Sequence, residues 1–435
     1  MAHIAPFRAL RYDPTRVGLS DVVTQPYDKI TPQMQDHYYQ ASPNNLVRII
    51  LGKREPADDA KNNVYSRAAG YFHDWRRQGA FRQDAEPSIY TYSQQFTGPG
   101  GTARLERRGF IALGRVEDYS AGVVFRHEQT LTKPKADRLD LLRATRAHFE
   151  QLFMVYQDNG QIDTLLAPAT HALIEIIDEY DVLHQVWKVS DPQVINLVRE
   201  SMRDKKVIIA DGHHRYETAV NYRNEQRAAT RTAGSGGTDA PHEFVMMTFI
   251  NVNSPGLVIL PTHRVVHGLT SFSPDRFQAD ASAYYKVEGV DASVDAGRAT
   301  EILHRAGHAG TALLAVTKER AFLLHTPKTN GSQIFHGLSL RQQALDVVQL
   351  HRCLLEAVLG LSEESIRNQQ NLSYLRDTGE SLERVRTGAA NVAFLMNPAR
   401  MDQVRDIAFA GEVLPQKSTD FYPKLLSGLT VYALD

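Results

Sequence analysis

Cysteine is nearly absent: one, Cys353, in 435 residues. A single thiol cannot close an internal disulfide, which excludes a small bridged scaffold of the secreted kind. Cys353 itself lies in the apolar stretch His351-Arg-Cys-Leu-Leu-Glu-Ala-Val358, where a small buried residue is expected. No apolar run reaches the ~20 residues that a membrane-spanning helix needs, and the opening residues to Tyr12 hold no apolar core of signal-peptide length. The expectation is a cytoplasmic protein with no membrane partner. A surplus of positive charge is also missing. Lys plus Arg number 49 and Asp plus Glu 50, a formal net charge of −1. Duplex-binding proteins draw most of their non-specific affinity from neutralising phosphates, so nucleic acid is not an expected partner. Neither a Gly-x-x-x-x-Gly-Lys loop nor a kinase-type glycine loop occurs, and a conventional nucleotide fold is therefore not supported.

What is present is ordinary globular material: 42% apolar and 23% charged residues. Single cores stop growing at roughly 250–300 residues, so two or three domains are expected. An extended run at 21–24 leads into a turn at Pro26-Tyr27-Asp28, and the β-branched stretch 45–51 reads as a strand. A helix is expected over 65–78. Two alternating runs, 88–96 and 103–116, flank Thr97-Gly-Pro-Gly-Gly-Thr102 and predict a hairpin. Helical spacing over 139–152 precedes a buried strand at 153–156, while 170–186 suits strand or helix equally. A helix should start at Ser190 or Asp191, with Pro192 in its first turn, and run to about residue 203. Strand 206–210 and helix 216–228 follow, then a flexible loop at 233–241 and a strand at 244–252. Beyond Ser271 the pattern is a further α+β unit: helix 294–307, strands 311–317 and 321–326, helix 340–360, and another helix near 403–408. The fold class expected is α+β with mixed sheets, divided at 1–110, 111–265 and 266–435.

Three clusters could carry chemistry. The strongest is Asp211-Gly212-His213-His214-Arg215, lodged between an apolar strand and a helix. Helix starts expose unpaired backbone N–H groups and a partial positive charge, so they attract anions. Gly212 lets a ligand approach the backbone, and a guanidinium can grip phosphate through two parallel bonds. Two other readings stay open: Asp211 as a plain helix cap with the histidines packed or solvated, or a metal held by Asp211, His213 and His214. The second cluster is Phe125-Arg-His127-Glu128-Gln129-Thr130, followed by Lys133, Lys135, Asp137 and Arg138. Glu128 either faces a pocket or decorates the surface. The third is Leu414-Pro-Gln-Lys-Ser-Thr-Asp-Phe-Tyr-Pro-Lys424, where Lys417, Ser418 and Thr419 sit in a turn framed by prolines. Its ammonium and hydroxyls suit phosphate or carboxylate, and a turn with no ligand would look similar.

Read together and in order, the three clusters resemble the motifs of the free serine kinases of the ParB/sulfiredoxin-like superfamily: His-Glu-Gln, Asp-Gly-His-His-Arg and a late lysine–hydroxyl turn. Nearly the whole chain also resembles a bacterial and archaeal family catalogued as a domain of unknown function. Pro6-Phe-Arg-Ala-Leu-Arg, Gln25-Pro-Tyr-Asp28 and Phe421-Tyr-Pro-Lys-Leu carry that second resemblance. The kinase resemblance implies a ParB/sulfiredoxin-like phosphate-binding core within 111–265, interrupted by an insertion. It implies a phosphotransferase acting on an alcohol group, with free serine or a similar hydroxylated metabolite as acceptor. The donor would be ATP, ADP or pyrophosphate, with Mg²⁺. Gly212, His213, His214 and Arg215 would hold the donor's phosphates, with Asp211 near the metal or acceptor. Glu128 would take the hydroxyl proton, while His127, Lys417, Ser418 and Thr419 would bind substrate. Two alternatives from other classes remain: a nucleotide-binding, ParB-like regulatory protein, and a metal-dependent hydrolase built on His127, Glu128 and the 211–215 histidines.

Overall fold

The alternating runs on either side of Gly98-Pro-Gly-Gly101 form the expected hairpin, with strands Ile89–Thr97 and Arg104–Arg115 paired antiparallel. The computed structural model describes residues 2–101, 103–129, 132–168, 171–232, 239–328 and 333–435, without the side chains of 132–134 and 231–232. Thr102 of the hairpin loop, Thr130, the side chain of Lys133, Thr170 and residues 233–238 of the glycine-rich loop lie outside the described residues. The protein is a mixed α/β chain with several sheets, arranged as two compact units. One comprises Met1–Arg126, Thr130–Val258 and Pro423–Asp435; the other comprises His127–Gln129 and Ile259–Tyr422.

The first unit is built on a nine-stranded mixed sheet. From one edge its strands are Val124–Phe125, Val207–Asp211, Leu152–Tyr156, Phe244–Asn251, Arg104–Arg115, Ile89–Thr97, Leu183–Val189 and Ile174–Ile177, with Ile4–Ala5 pairing beside Arg104–Arg115. Val207–Asp211 runs parallel to its edge neighbour and antiparallel to Leu152–Tyr156. Apolar residues from these strands, among them Phe110, Met154, Ile209 and Phe249, share a core with Tyr216 and Ala219 of helix His213–Thr232. A second core, around Ile49, Phe72, Trp75 and Phe81, lies under the N-terminal helices.

The second unit carries a six-stranded antiparallel sheet ordered Lys286–Val290, Ala321–His325, Ala312–Val316, Val392–Met396, His263–Val266, Leu372–Leu375. Side chains alternate across a strand, and here both faces are covered. Leu313, Ala315, Phe322 and Phe394 face one core, while Ala312, Leu314, Val316, Ala393 and Leu395 face the other.

Several expectations need correction. Residues 45–51 do not form a strand: Val47–Ile50 is a short helix, preceded by a turn in which the Asn45 side-chain oxygen accepts from Val47 N–H at 2.9 Å. The run 21–24 is not extended throughout, because Leu19–Val22 is helical. The helix expected over 139–152 is Thr132–Thr145, and Leu152 already belongs to the next strand. The undecided stretch 170–186 resolves into strands Ile174–Ile177 and Leu183–Val189. Helix 340–360 is three pieces: Leu340–Gln343, Asp346–Gln349 and a π-helical segment, Leu350–Val358. The helix after Asp211 begins at His213, not at residue 216, so Gly212 alone separates strand from helix. Asp191 caps Pro192–Met202 through Gln193 N–H, as the sequence suggests.

Candidate functional site

Strand Val207–Asp211 ends in a bulge: its register against Leu152–Tyr156 shifts between Ile209 and Asp211. In a regular strand Asp211 would share a face with Val207 and Ile209, both of which pack in the core. One extra residue re-aims it, a familiar use of bulges. Gly212 then takes φ +98°, and a Cβ there would meet Leu152 Cδ2 at 2.8 Å. Only glycine suits this link. Its carbonyl accepts from Tyr216 N–H at 2.9 Å, which starts the helix. The N–H groups of the first turn, at His213, His214 and Arg215, have no acceptor within the helix itself.

Cations converge on this corner. Lys424 Nζ lies 3.0 Å from Asp211 Oδ2, with the lysine side chain 8% exposed and the aspartate 22%. Burial pushes the Asp211 carboxyl up, but Lys424, Arg215 and Lys29 outweigh it and hold the group well below the usual carboxylate range. The Arg215 guanidinium donates to the Gln151 carbonyl at 2.6 Å. Burial disfavours its charge, yet Glu150, Asp211 and Asp28 raise its pKa. Glu150 in turn accepts from Tyr27 N–H at 3.0 Å and lies 3.7 Å from Arg138, whose guanidinium covers the Tyr27 ring at 4.2 Å. Below Lys424, the fully buried Arg107 donates to Gln94 Oε1 at 3.1 Å and to the Pro423 carbonyl. Gln94 Nε2 donates to the Lys424 carbonyl at 2.8 Å. Burial drops the pKa of Arg107 to about 9, with Tyr92 and Asp211 opposing. Lys29, Lys424, Arg215 and Arg107 thus stand with Asp211, Glu150 and Asp28, an arrangement with room for added negative charge. The two imidazoles differ: His213 is buried and His214 is half-buried.

The second and third sequence clusters come together inside the other unit. Leu414 N–H donates to the His127 carbonyl at 2.8 Å, and His127 Nε2 lies 2.8 Å from Thr419 Oγ1. Glu128 Oε1 accepts from Lys417 N–H at 2.9 Å, and Ser418 Oγ donates to the Pro415 carbonyl at 2.5 Å. Lys417 has φ +56°, a left-handed conformation uncommon away from glycine. Beside Glu128, the fully buried Arg264 is pushed down to about 10 by burial, with Tyr374 and Glu128 opposing, and its guanidinium covers the Tyr374 ring at 5.0 Å. Among the described residues, no three of His, Cys, Asp or Glu are grouped so as to hold a metal ion, and no helix is long and apolar enough to cross a membrane.

Sequence reasoning brought forward Asp211 to Arg215, His127, Glu128 and the 417–419 turn, and gave no role to Lys29, Glu150, Arg107, Arg264 or Lys424, whose charges act on those residues. Two of these had a signal: Lys29 follows the Gln25-Pro-Tyr-Asp28 turn, and Lys424 lies in Phe421-Tyr-Pro-Lys-Leu.

The family model described as "Protein of unknown function (DUF1015)" matches residues 4–365. The chain is a member of the DUF1015 family. No curated protein matches this DUF1015 chain. Among solved structures it is similar to a conserved hypothetical protein from Pyrococcus furiosus, at 12% identity, covering 70% of this chain and 92% of that one with a TM-score of 0.34. A free serine kinase in complex with AMP is similar at 13% identity, over 71% of this chain and 88% of that one, with a TM-score of 0.35. SbnI with a C-terminal truncation, from Staphylococcus aureus, gives 10% identity, 74% and 87% coverage, and a TM-score of 0.36. These likenesses are distant, and the chemistry of this DUF1015 chain has to be read from its own residues.

Proposed function

We propose that this DUF1015 protein is a small-molecule kinase with a ParB/sulfiredoxin-like phosphate-binding core, moving a phosphoryl group from ATP, ADP or pyrophosphate to the hydroxyl of a small metabolite. The observation that carries the proposal is the corner at Asp211-Gly212: a left-handed glycine at a helix start, flanked by Arg215 and Lys424. A helix start alone contributes only ~0.3–1 kcal/mol at an exposed site, so Arg215 and Lys424 supply most of the grip on the donor's phosphates. Free serine as acceptor rests on the order of the three motifs.

In this reading Glu128 takes the proton of the acceptor hydroxyl. The oxygen then bonds to the terminal phosphorus, and the bond from that phosphorus to the departing phosphate oxygen breaks. Phosphoryl transfer has a loose transition state, so positioning and charge stabilisation dominate over base strength. Mg²⁺ neutralises phosphate charge in such reactions; Asp211 is the carboxylate this corner offers it, and one carboxylate plus substrate phosphates is a common way to hold that ion. Lys417, Ser418 and Thr419, with His127, act on substrate through the turn they build around Glu128.

The test is phosphorus NMR of the full chain with serine, Mg²⁺ and each donor in turn. O-phosphoserine supports the proposal; donor hydrolysis without transfer favours a nucleotide-binding regulatory protein instead. Arg215→Ala should reduce turnover at least as much as Glu128→Gln, since a positioned base contributes ~10²–10⁴-fold. Near-normal turnover in Arg215→Ala would remove the phosphate-clamp assignment.

A further inference from the structure

The second unit contains a cavity of about 140 Å³ that the kinase reading does not use. His351 lines it. That side chain is more than nine-tenths buried, and among the described residues its Nε2 has no hydrogen-bond partner. An unmet buried ring nitrogen is costly and is rare without a reason. His351 also belongs to the π-helical segment Leu350–Val358, where Leu359 N–H reaches back five residues to the Leu354 carbonyl at 2.9 Å. Widened turns of this kind recur at functional sites.

The charges at this cavity are already matched. Arg352 is paired with Glu356 at 2.8 Å and Arg367 with Glu363 at 2.8 Å, and all four line the space. An ionic ligand would compete with these pairs, whereas an uncharged one would leave them intact. The remaining polar lining is neutral: the amides of Gln129, Gln342 and Gln416 and the phenol of Tyr374, besides His351. Burial, with Arg264 and Arg352, drives the His351 pKa well below its usual value, so the imidazole offers one donor and one acceptor. Val348 and Ile366 supply apolar wall. A cavity of about 150 Å³ is known to accommodate a single six-membered ring.

We propose that this cavity is a binding site for an uncharged, pyrimidine-sized heteroaromatic ligand, whose polar edge meets His351 Nε2 while its faces lie against the aliphatic wall. The site goes beyond the kinase reading and stands without it. The full chain is to be titrated calorimetrically with uracil, cytosine and nicotinamide, each at up to millimolar concentration. Saturable binding of at least one probe is expected. His351→Phe should weaken that probe at least about tenfold, the expected consequence of losing a buried hydrogen bond. Leu338→Trp, which fills the cavity from another part of its lining, should weaken it similarly. This second variant keeps the test decisive should His351→Phe not fold. Pyrophosphate binding should be equal in wild type and both variants, which separates loss of this site from any failure of the phosphate corner. Absence of binding by all three probes, or unchanged affinity in a folded variant, would overturn the proposal.

Discussion

Lys424 Nζ and Asp211 Oδ2 lie 3.0 Å apart, joining a strand end in the middle of the chain to a lysine near its far end. Removing one member of a largely buried pair leaves the other charge poorly compensated. Lys424→Ala should therefore cost about 1–3 kcal/mol, discounted from the fully buried case because the aspartate retains some exposure. Adding Asp211→Asn should recover part of that loss. Urea unfolding of the two single variants and the double variant measures this coupling; additive costs would show that the pair contributes nothing.

Gly212 is the only residue between strand and helix, at φ +98° with Leu152 and Arg215 close to the position of a Cβ. Gly212→Ala should destabilise the protein by about 1–3 kcal/mol and weaken phosphate binding as Arg215 is displaced. Thermal unfolding together with pyrophosphate titration checks both effects. An unchanged melting temperature would mean that the turn tolerates a side chain.

Much of the fold was legible because local chemistry and tertiary structure agree. The Gly-Pro-Gly-Gly loop with alternation on both sides, and the apolar strand running into Asp211-Gly212, each announce themselves within a few residues. Residues 45–51 misled because Leu46, Val47, Ile49 and Ile50 are all buried, so neither a two-residue nor a 3.6-residue period shows. The turn that leads into this helix is a local one, with Asn45 Oδ1 accepting from Val47 N–H and its carbonyl from Arg48 N–H. In the site, residue types were readable and partnerships were not. No spacing rule links Asp211 with Lys424, or Glu128 with Arg264, since those neighbours are chosen by the fold.

Lys417 adopts φ +56° while its N–H holds Glu128. Replacement by glycine keeps the N–H and removes the left-handed penalty, so Lys417→Gly should leave stability unchanged or raise it by up to about 1 kcal/mol. Turnover should nevertheless fall if the ammonium contacts substrate. Calorimetric melting combined with the phosphorus NMR assay separates the two roles; a destabilised Lys417→Gly would contradict the backbone account.

Two buried histidines should set the acid limit of the second unit. Burial, with Arg264, lowers His263 to about 4, and burial, with Arg264 and Arg352, lowers His351 well below its usual value. The unfolded chain binds these protons near pH 6.5, before the native state does. The histidines' contribution is then complete above that pH and falls as pH drops from 6.5 toward 4, by at most about 1.4 kcal/mol per pH unit for each group. Asp346, pushed up to about 6 by burial, offsets one of them below pH 6. Melting temperatures at pH 7.5 and 5 should differ accordingly, and His351→Phe should flatten the slope. A pH-independent melting temperature across this range would refute the assignment.

The most direct measurement is calorimetric titration of the full chain with ADP and with pyrophosphate, in Mg²⁺, comparing wild type with Arg215→Ala and Lys424→Ala. The phosphate-corner account predicts saturable binding of at least one donor to wild type and a loss of at least about tenfold in each variant, as expected for a charge-assisted contact. Equal affinity in all three proteins, or no binding of either donor to wild type, would contradict it.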